Sequence, residues 1–186
     1  MRKLLMAAAF SASALALAAQ PGYAQTTKQM QTKSMDKVSA EQFVTKATNA
    51  NMFEIQSSQL ALKKSKNKDI QQFAQMIIDD HKKAGSELKS VLSDAGTNIK
   101  APEKLDQEHA KKLDQLKSAA GTDFDKSYVQ MQTDGHEQAV ELFQSYSQNG
   151  DNSALKSWAG KTLPTLEKHL QMAEAIKLPQ TTGSLD

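Results

Sequence analysis

Three histidines and one glutamate are the residues of this chain best suited to chemistry at a buried centre. Glu54, His81, His136 and His169 each fall on the apolar stripe of a different helix expected from the sequence, near that helix's midpoint. Imidazole nitrogen and carboxylate oxygen are ordinary ligands for zinc, iron, copper and manganese. One ligand from each of four facing helices would form a site for a single divalent transition metal at mid-bundle. A polar group sealed among hydrocarbon must be satisfied by its neighbours, by water or by such an ion. The same four side chains could instead hydrogen-bond to one another and fix helix register without binding anything. A third chemistry pairs an ionised Glu54 with a charged histidine, which would make the core respond to pH. Residue types alone leave all three open. His109, the remaining histidine, lies on a heavily charged segment and is expected in solvent.

Oxidase chemistry fits less well. Ferritin-like di-iron sites use a Glu-x-x-His pair on two helices plus two further glutamates. Here Ile78, Thr133 and Leu166 stand three residues before His81, His136 and His169, and none is a carboxylate. Asp79, Asp80, Asp134, Glu137 and Glu167 lie close in sequence but point away from the histidine faces on a helical wheel. A binding or structural module is therefore expected ahead of an enzyme, with a ferritin-like metal-dependent oxidase or metal-handling enzyme as the alternative. Met52, Met76, Met131 and Met172 read as core filler rather than soft copper ligands. No glycine-rich phosphate loop, dinucleotide fingerprint or nucleophile elbow occurs.

The helices that must position these groups are legible from spacing. Ser39 with Gln42 forms a capping box, and Phe43, Ala47, Ala50, Glu54, Ser57 and Ala61 follow in steps of four and three. Asn67 or Asp69 opens a second helix on Ile70, Ala74, Ile77, His81, Ala84, Leu88, Val91 and Ala95, closed by Gly96. Pro102 is placed to start a short charged helix through Leu105, Ala110, Leu113 and Leu116, expected on the bundle surface. After Gly121, with Thr122 or Asp123 as cap, Phe124, Tyr128, Met131, Gly135, Ala139, Leu142 and Tyr146 line a third long helix. Gln132, His136 and Phe143 widen that stripe. The last helix carries Leu155, Ala159, Thr162, Leu166, His169, Ala173 and Ile176, with Pro164 expected to kink it or free one carbonyl. Long helices of ~35–43 Å, at about 1.5 Å per residue, can lie side by side. The expected fold is all-α: a ferritin-like four-helix bundle with a short extra helix in the crossover between the second and third long helices.

Composition bounds the setting. Residues 1–24 read as a signal peptide, with Arg2 and Lys3 ahead of an apolar run from Leu4 to Ala19 and small residues at Gly22 and Ala24. Removing them lowers the 23 basic residues by two, to match the 21 acidic ones, so no basic nucleic-acid-binding surface is expected. Cysteine is absent, which excludes disulfides and thiolate ligands. Export with a cleaved signal predicts a periplasmic or secreted protein with no membrane span after cleavage. Residues 25–38 read as a disordered leader, 39–178 as the bundle domain and 179–186 as a flexible tail. Nothing in the sequence names a protein partner.

Several segments carry a family resemblance: Asn51-Met52-Phe53-Glu54-Ile55 with Ser58-Gln59-Leu60-Ala61, Phe73 through His81, Gly121 with Phe124-Asp125 and Tyr128, His136 with Ala139-Val140 and Phe143, and Leu163-Pro164 with His169-Leu170. Together they resemble the bacterial domain of unknown function 4142 family, a group of exported ferritin-like proteins. The resemblance spans roughly Ser39 to Leu178. It implies the helical fold and the exported location, and it implies no particular activity.

Overall fold

The structure, a computed structural model, describes residues 38–178. The expected signal peptide, the leader up to residue 37 and the tail from residue 179 lie outside the described residues. Val38, the last residue assigned to the leader, packs against the core. The described chain is all-helical, without a strand: α1 (Ala40–Lys64), α2 (Lys68–Asp94), α3 (Gln107–Ser118), α4 (Gly121–Asn149) and α5 (Ser153–Ala175).

The ends of these helices follow from local chemistry. Ser39 Oγ accepts from the Gln42 amide while Gln42 Oε1 accepts from the Ser39 amide, so two free N–H groups at the start of α1 are satisfied reciprocally. Asn67 Oδ1 accepts from Asp69 and Ile70 at the start of α2, and Asn152 Oδ1 accepts from Leu155 at the start of α5. Beyond α2, Gly96 takes a left-handed φ of 57°, a conformation with little cost only for glycine.

Two starts differ from expectation. The short helix begins at Gln107, not near Pro102, because Asp106 Oδ1 caps the His109 amide. Asp106 is itself held by its own N–H, which donates to Asn49 Oδ1 of α1 at 2.8 Å. The third long helix is preceded by Ala120 with no side-chain cap, and neither Thr122 nor Asp123 caps it. Pro164 lies inside α5 without ending it.

Packing places the four long helices in a closed ring: α1 against α2 and α4, and α5 against α2 and α4. The links Ser65–Asn67 and Gly150–Asn152 are so short that α1 and α2, and likewise α4 and α5, run antiparallel. Helix α3 lies across α1 and α4 and buries Leu113 and Leu116. Lys64 fastens its far end by donating to the carbonyl oxygens of Leu116 at 3.3 Å, Lys117, and Ala119 at 2.7 Å.

The core consists of two apolar clusters. One gathers Phe43, Val44, Leu88, Leu92, Phe143, Tyr146, Leu155, Trp158 and Leu166. The other gathers Phe53, Ile70, Phe73, Ile77, Leu113, Leu116, Phe124, Tyr128 and Ala173. Along α2, α4 and α5 the stripe passes from one cluster to the other at His81, at Gln132 and His136, and at His169. The histidines thus mark a polar layer between two dry halves.

Candidate metal centre

The three histidines of α2, α4 and α5 meet. Their ring centroids form a nearly equilateral triangle, with His81–His136 at 5.6 Å, His81–His169 at 5.5 Å and His136–His169 at 5.3 Å. One nitrogen from each lies within 4.8 Å of the others. All three rings are buried, at 7, 1 and 1 % exposure for His81, His136 and His169.

Each imidazole is held from behind by an oxygen. His81 Nδ1 lies 3.2 Å from Asn51 Oδ1 on α1. His136 Nδ1 donates to the Gln132 carbonyl one turn back at 2.8 Å. His169 Nε2 lies 2.9 Å from Asp80 Oδ2 on α2. All three partners are acceptors, so the engaged nitrogen carries the proton and the other ring nitrogen offers a lone pair. Those other nitrogens, His81 Nε2, His136 Nε2 and His169 Nδ1, are buried and have no hydrogen-bond partner. Three buried lone pairs in one layer, each on a ring oriented by an outer oxygen, match the way proteins prepare histidines for a metal ion.

Electrostatics keeps these rings neutral. Burial and the mutual repulsion of the three imidazoles push His81 well below its ordinary range. Burial likewise lowers His136 to about 4, against the opposing pull of the Gln132 carbonyl. His169 is lowered by burial, with Asp80 opposing. Protons therefore compete little for the lone pairs at neutral pH. Donors within 4.8 Å can close on an ion. Bonds of about 2.0–2.1 Å in tetrahedral geometry place nitrogens roughly 3.4 Å apart, so the rings need to move inward by about 1 Å.

Glu54 stands apart from this group. It is buried at 3 % exposure, on α1. The α1 residue that reaches His81 is Asn51, about one turn earlier. Glu54 reaches α4 instead: its Oε1 lies 2.9 Å from where a Cβ on Gly135 would be. Glycine at 135 is what leaves room for the carboxyl. Gln132 hydrogen-bonds Glu54, while its Nε2 donates to Ser57 Oγ at 3.2 Å, and the neighbouring Ser58 and Tyr128 hydroxyls pair at 2.9 Å. Burial pushes the Glu54 carboxyl up to about 8 despite the Gln132 hydrogen bond and the distant charge of Lys112. A neutral acid needs no buried countercharge, and its Oε2 is buried without a hydrogen-bond partner.

Asp80 is a departure from the helical-wheel reading. Its position, one residue before His81, sends its carboxylate sideways to α5 and onto His169. The other four nearby acids are exposed as the wheel implied, with Asp79 bonded to Gln75 and Asp134 to Gln130. His109 also differs from expectation. It is partly buried, its ring 5.6 Å from that of Phe53 and its Nδ1 2.8 Å from Asp106. The sequence places Gln132 on the widened stripe of the third long helix and Asn51 beside the stripe of the first, without assigning either a role. The Gln132 carbonyl meets His136 on its own helix, whereas nothing in the α1 pattern says that Asn51 meets the His81 ring of α2.

The family described as Domain of unknown function (DUF4142) matches residues 24–176. The chain belongs to the DUF4142 family. Comparison with curated proteins gives no match. Among solved structures, the DUF305 fragment from Deinococcus radiodurans is similar to this DUF4142 chain, with a TM-score of 0.62 and 14 % identity. So is CopM in its Cu(II)-bound form, with a TM-score of 0.62 and 18 % identity. Each alignment covers 74 % of this chain and 95 % of the other. At such identities the likeness is one of fold.

Proposed function

We propose that this DUF4142 protein is an exported module of the cell envelope, a ferritin-like four-helix bundle that holds one divalent transition metal on His81, His136 and His169. The observation that carries this reading is the set of three buried, unpartnered imidazole nitrogens on rings already oriented by Asn51, Gln132 and Asp80. Three neutral imidazoles and no thiolate suit copper(II) and zinc, and the general affinity order places copper(II) above zinc. The fold shared with CopM, whose compared structure holds Cu(II), is in keeping with copper as the ion.

The bound ion would keep one coordination position for solvent or a small ligand. Among the described residues, this trio is the only group of three or more histidines or acids close enough to share an ion. Holding or carrying a single ion therefore fits better than di-metal oxidase chemistry. Glu54 is not among the side chains that share this group, and it shapes the polar layer rather than binding the ion.

The test is elemental analysis of untagged protein stripped with chelator, reloaded with copper(II) or zinc and desalted. One equivalent per chain is expected, falling below a tenth in the His81→Ala/His136→Ala/His169→Ala variant. Retention of a full equivalent by that variant, or none by the wild type, would refute the reading.

A further inference from the structure

We propose that Asp80 is the positioning residue of this centre: by accepting the Nε2 proton of His169 it makes Nδ1 the nitrogen that ring offers, whereas His81 and His136 offer Nε2. The role in metal binding rests on the function proposed above. The placement of the proton stands on geometry alone.

His81 and His136 each engage Nδ1, with Asn51 Oδ1 and the Gln132 carbonyl as partners. His169 engages the opposite nitrogen, Nε2, at 2.9 Å from Asp80 Oδ2, and its Nδ1 is the buried, unpartnered atom. The centre is therefore asymmetric. Two rings approach end-on through the far nitrogen, and the third approaches through the nitrogen nearest its own backbone. An Nδ1 ligand atom sits closer to its own backbone than an Nε2 ligand atom does.

Magnitudes separate positioning from simple stability. The Asp80 side chain is 42 % exposed while His169 is 1 % exposed. With the carboxylate so open to water, this contact contributes little to folding. Control of the tautomer, by contrast, decides whether the buried Nδ1 has a lone pair at all. Asp79 supplies an internal control. It places a carboxylate at the adjoining position of α2, exposed and bonded to Gln75 rather than to any ring.

The experiment is nitrogen-15 NMR of the histidine rings in metal-free protein, combined with copper(II) titration of wild type, Asp80→Ala, Asp80→Asn and Asp79→Ala. In the wild type His169 should be the Nε2–H tautomer with a slowly exchanging ring proton, and His81 and His136 the Nδ1–H tautomer. Asp80→Ala should lose the protected His169 ring proton and weaken copper(II) binding by about ten- to a hundredfold, the usual cost of removing such a partner. Asp80→Asn, which keeps an oxygen acceptor, should retain the tautomer and bind with intermediate affinity. Asp79→Ala should match the wild type.

An Nδ1–H tautomer at His169, a protected ring proton surviving in Asp80→Ala, or equal weakening by Asp79→Ala would overturn the proposal. A wild type that takes no copper(II) would overturn the functional reading, and the ring tautomers would still decide the placement of the proton.

Discussion

Glu54 and the histidines pull stability in opposite directions with pH. Glu54 titrates near 8 in the fold against 4.5 unfolded. The folded state thus holds a proton that the unfolded chain releases, and stability falls as pH rises from 4.5 to 8, by up to about 5 kcal/mol at roughly 1.4 kcal/mol per pKa unit. The histidines run the other way. His136 titrates near 4 against 6.5 unfolded, and His81 is also lowered, so stability is full above 6.5 and is lost as pH falls toward 4. Urea unfolding of the metal-free protein should therefore peak near pH 6.5. Glu54→Gln cannot titrate and should plateau above that pH, and a parallel alkaline decline in the variant would count against a buried neutral carboxyl. Gly135 bears on the same group. A methyl at 135 would fall 2.9 Å from Glu54 Oε1; because that atom ends a flexible side chain and alanine gains about 1 kcal/mol over glycine inside a helix, Gly135→Ala should cost no more than about 1 kcal/mol net. That cost should shrink when Glu54→Ala is combined with it, as read in a double-mutant cycle.

At the scale of helices, boundaries were readable where a side chain caps its own chain and hidden where the partner is remote. Ser39 with Gln42, Asn67 and Gly96 act within a few residues, so their roles showed in the sequence. The start of α3 did not, although Asp106 caps the His109 amide only three residues away: Asp106 is itself held by Asn49, 57 positions distant. Lys64 closes the other end of α3 and lies 5.5 Å from the Phe124 ring centroid. Lys64→Ala should leave three carbonyls to water and cost about 1–2 kcal/mol. Hydrogen exchange should reveal it as faster opening of Gln107–Ser118, with the amides of α2 and α5 unchanged. Equal acceleration in every helix would show that α3 does not open separately. The candidate site was legible to the same degree: periodicity put three histidines on inward stripes, but it could not give helix heights. Only the packed register shows Asn51, rather than Glu54, at the level of His81, and only the α2–α5 contact brings Asp80 to His169.

For the whole molecule, a polar layer between two apolar clusters is a costly arrangement unless something gains from it. Three imidazole nitrogens without partners each forgo a hydrogen bond that water would supply in the unfolded chain. An ion that binds the folded state alone returns that free energy by linkage, about 2.7 kcal/mol at a hundredfold excess over Kd. For a domain of this size that corresponds to a rise in Tm of roughly 10 °C. The copper(II)-dependent rise should vanish when the three histidines are replaced.

X-ray absorption spectroscopy of the copper(II)-loaded protein examines that centre atom by atom. Three imidazole rings around one copper are expected, with the imidazole scattering lost in the triple histidine variant. A shell with fewer than two imidazoles, or the same spectrum from both proteins, would show that the ion sits elsewhere and that His81, His136 and His169 are no metal centre.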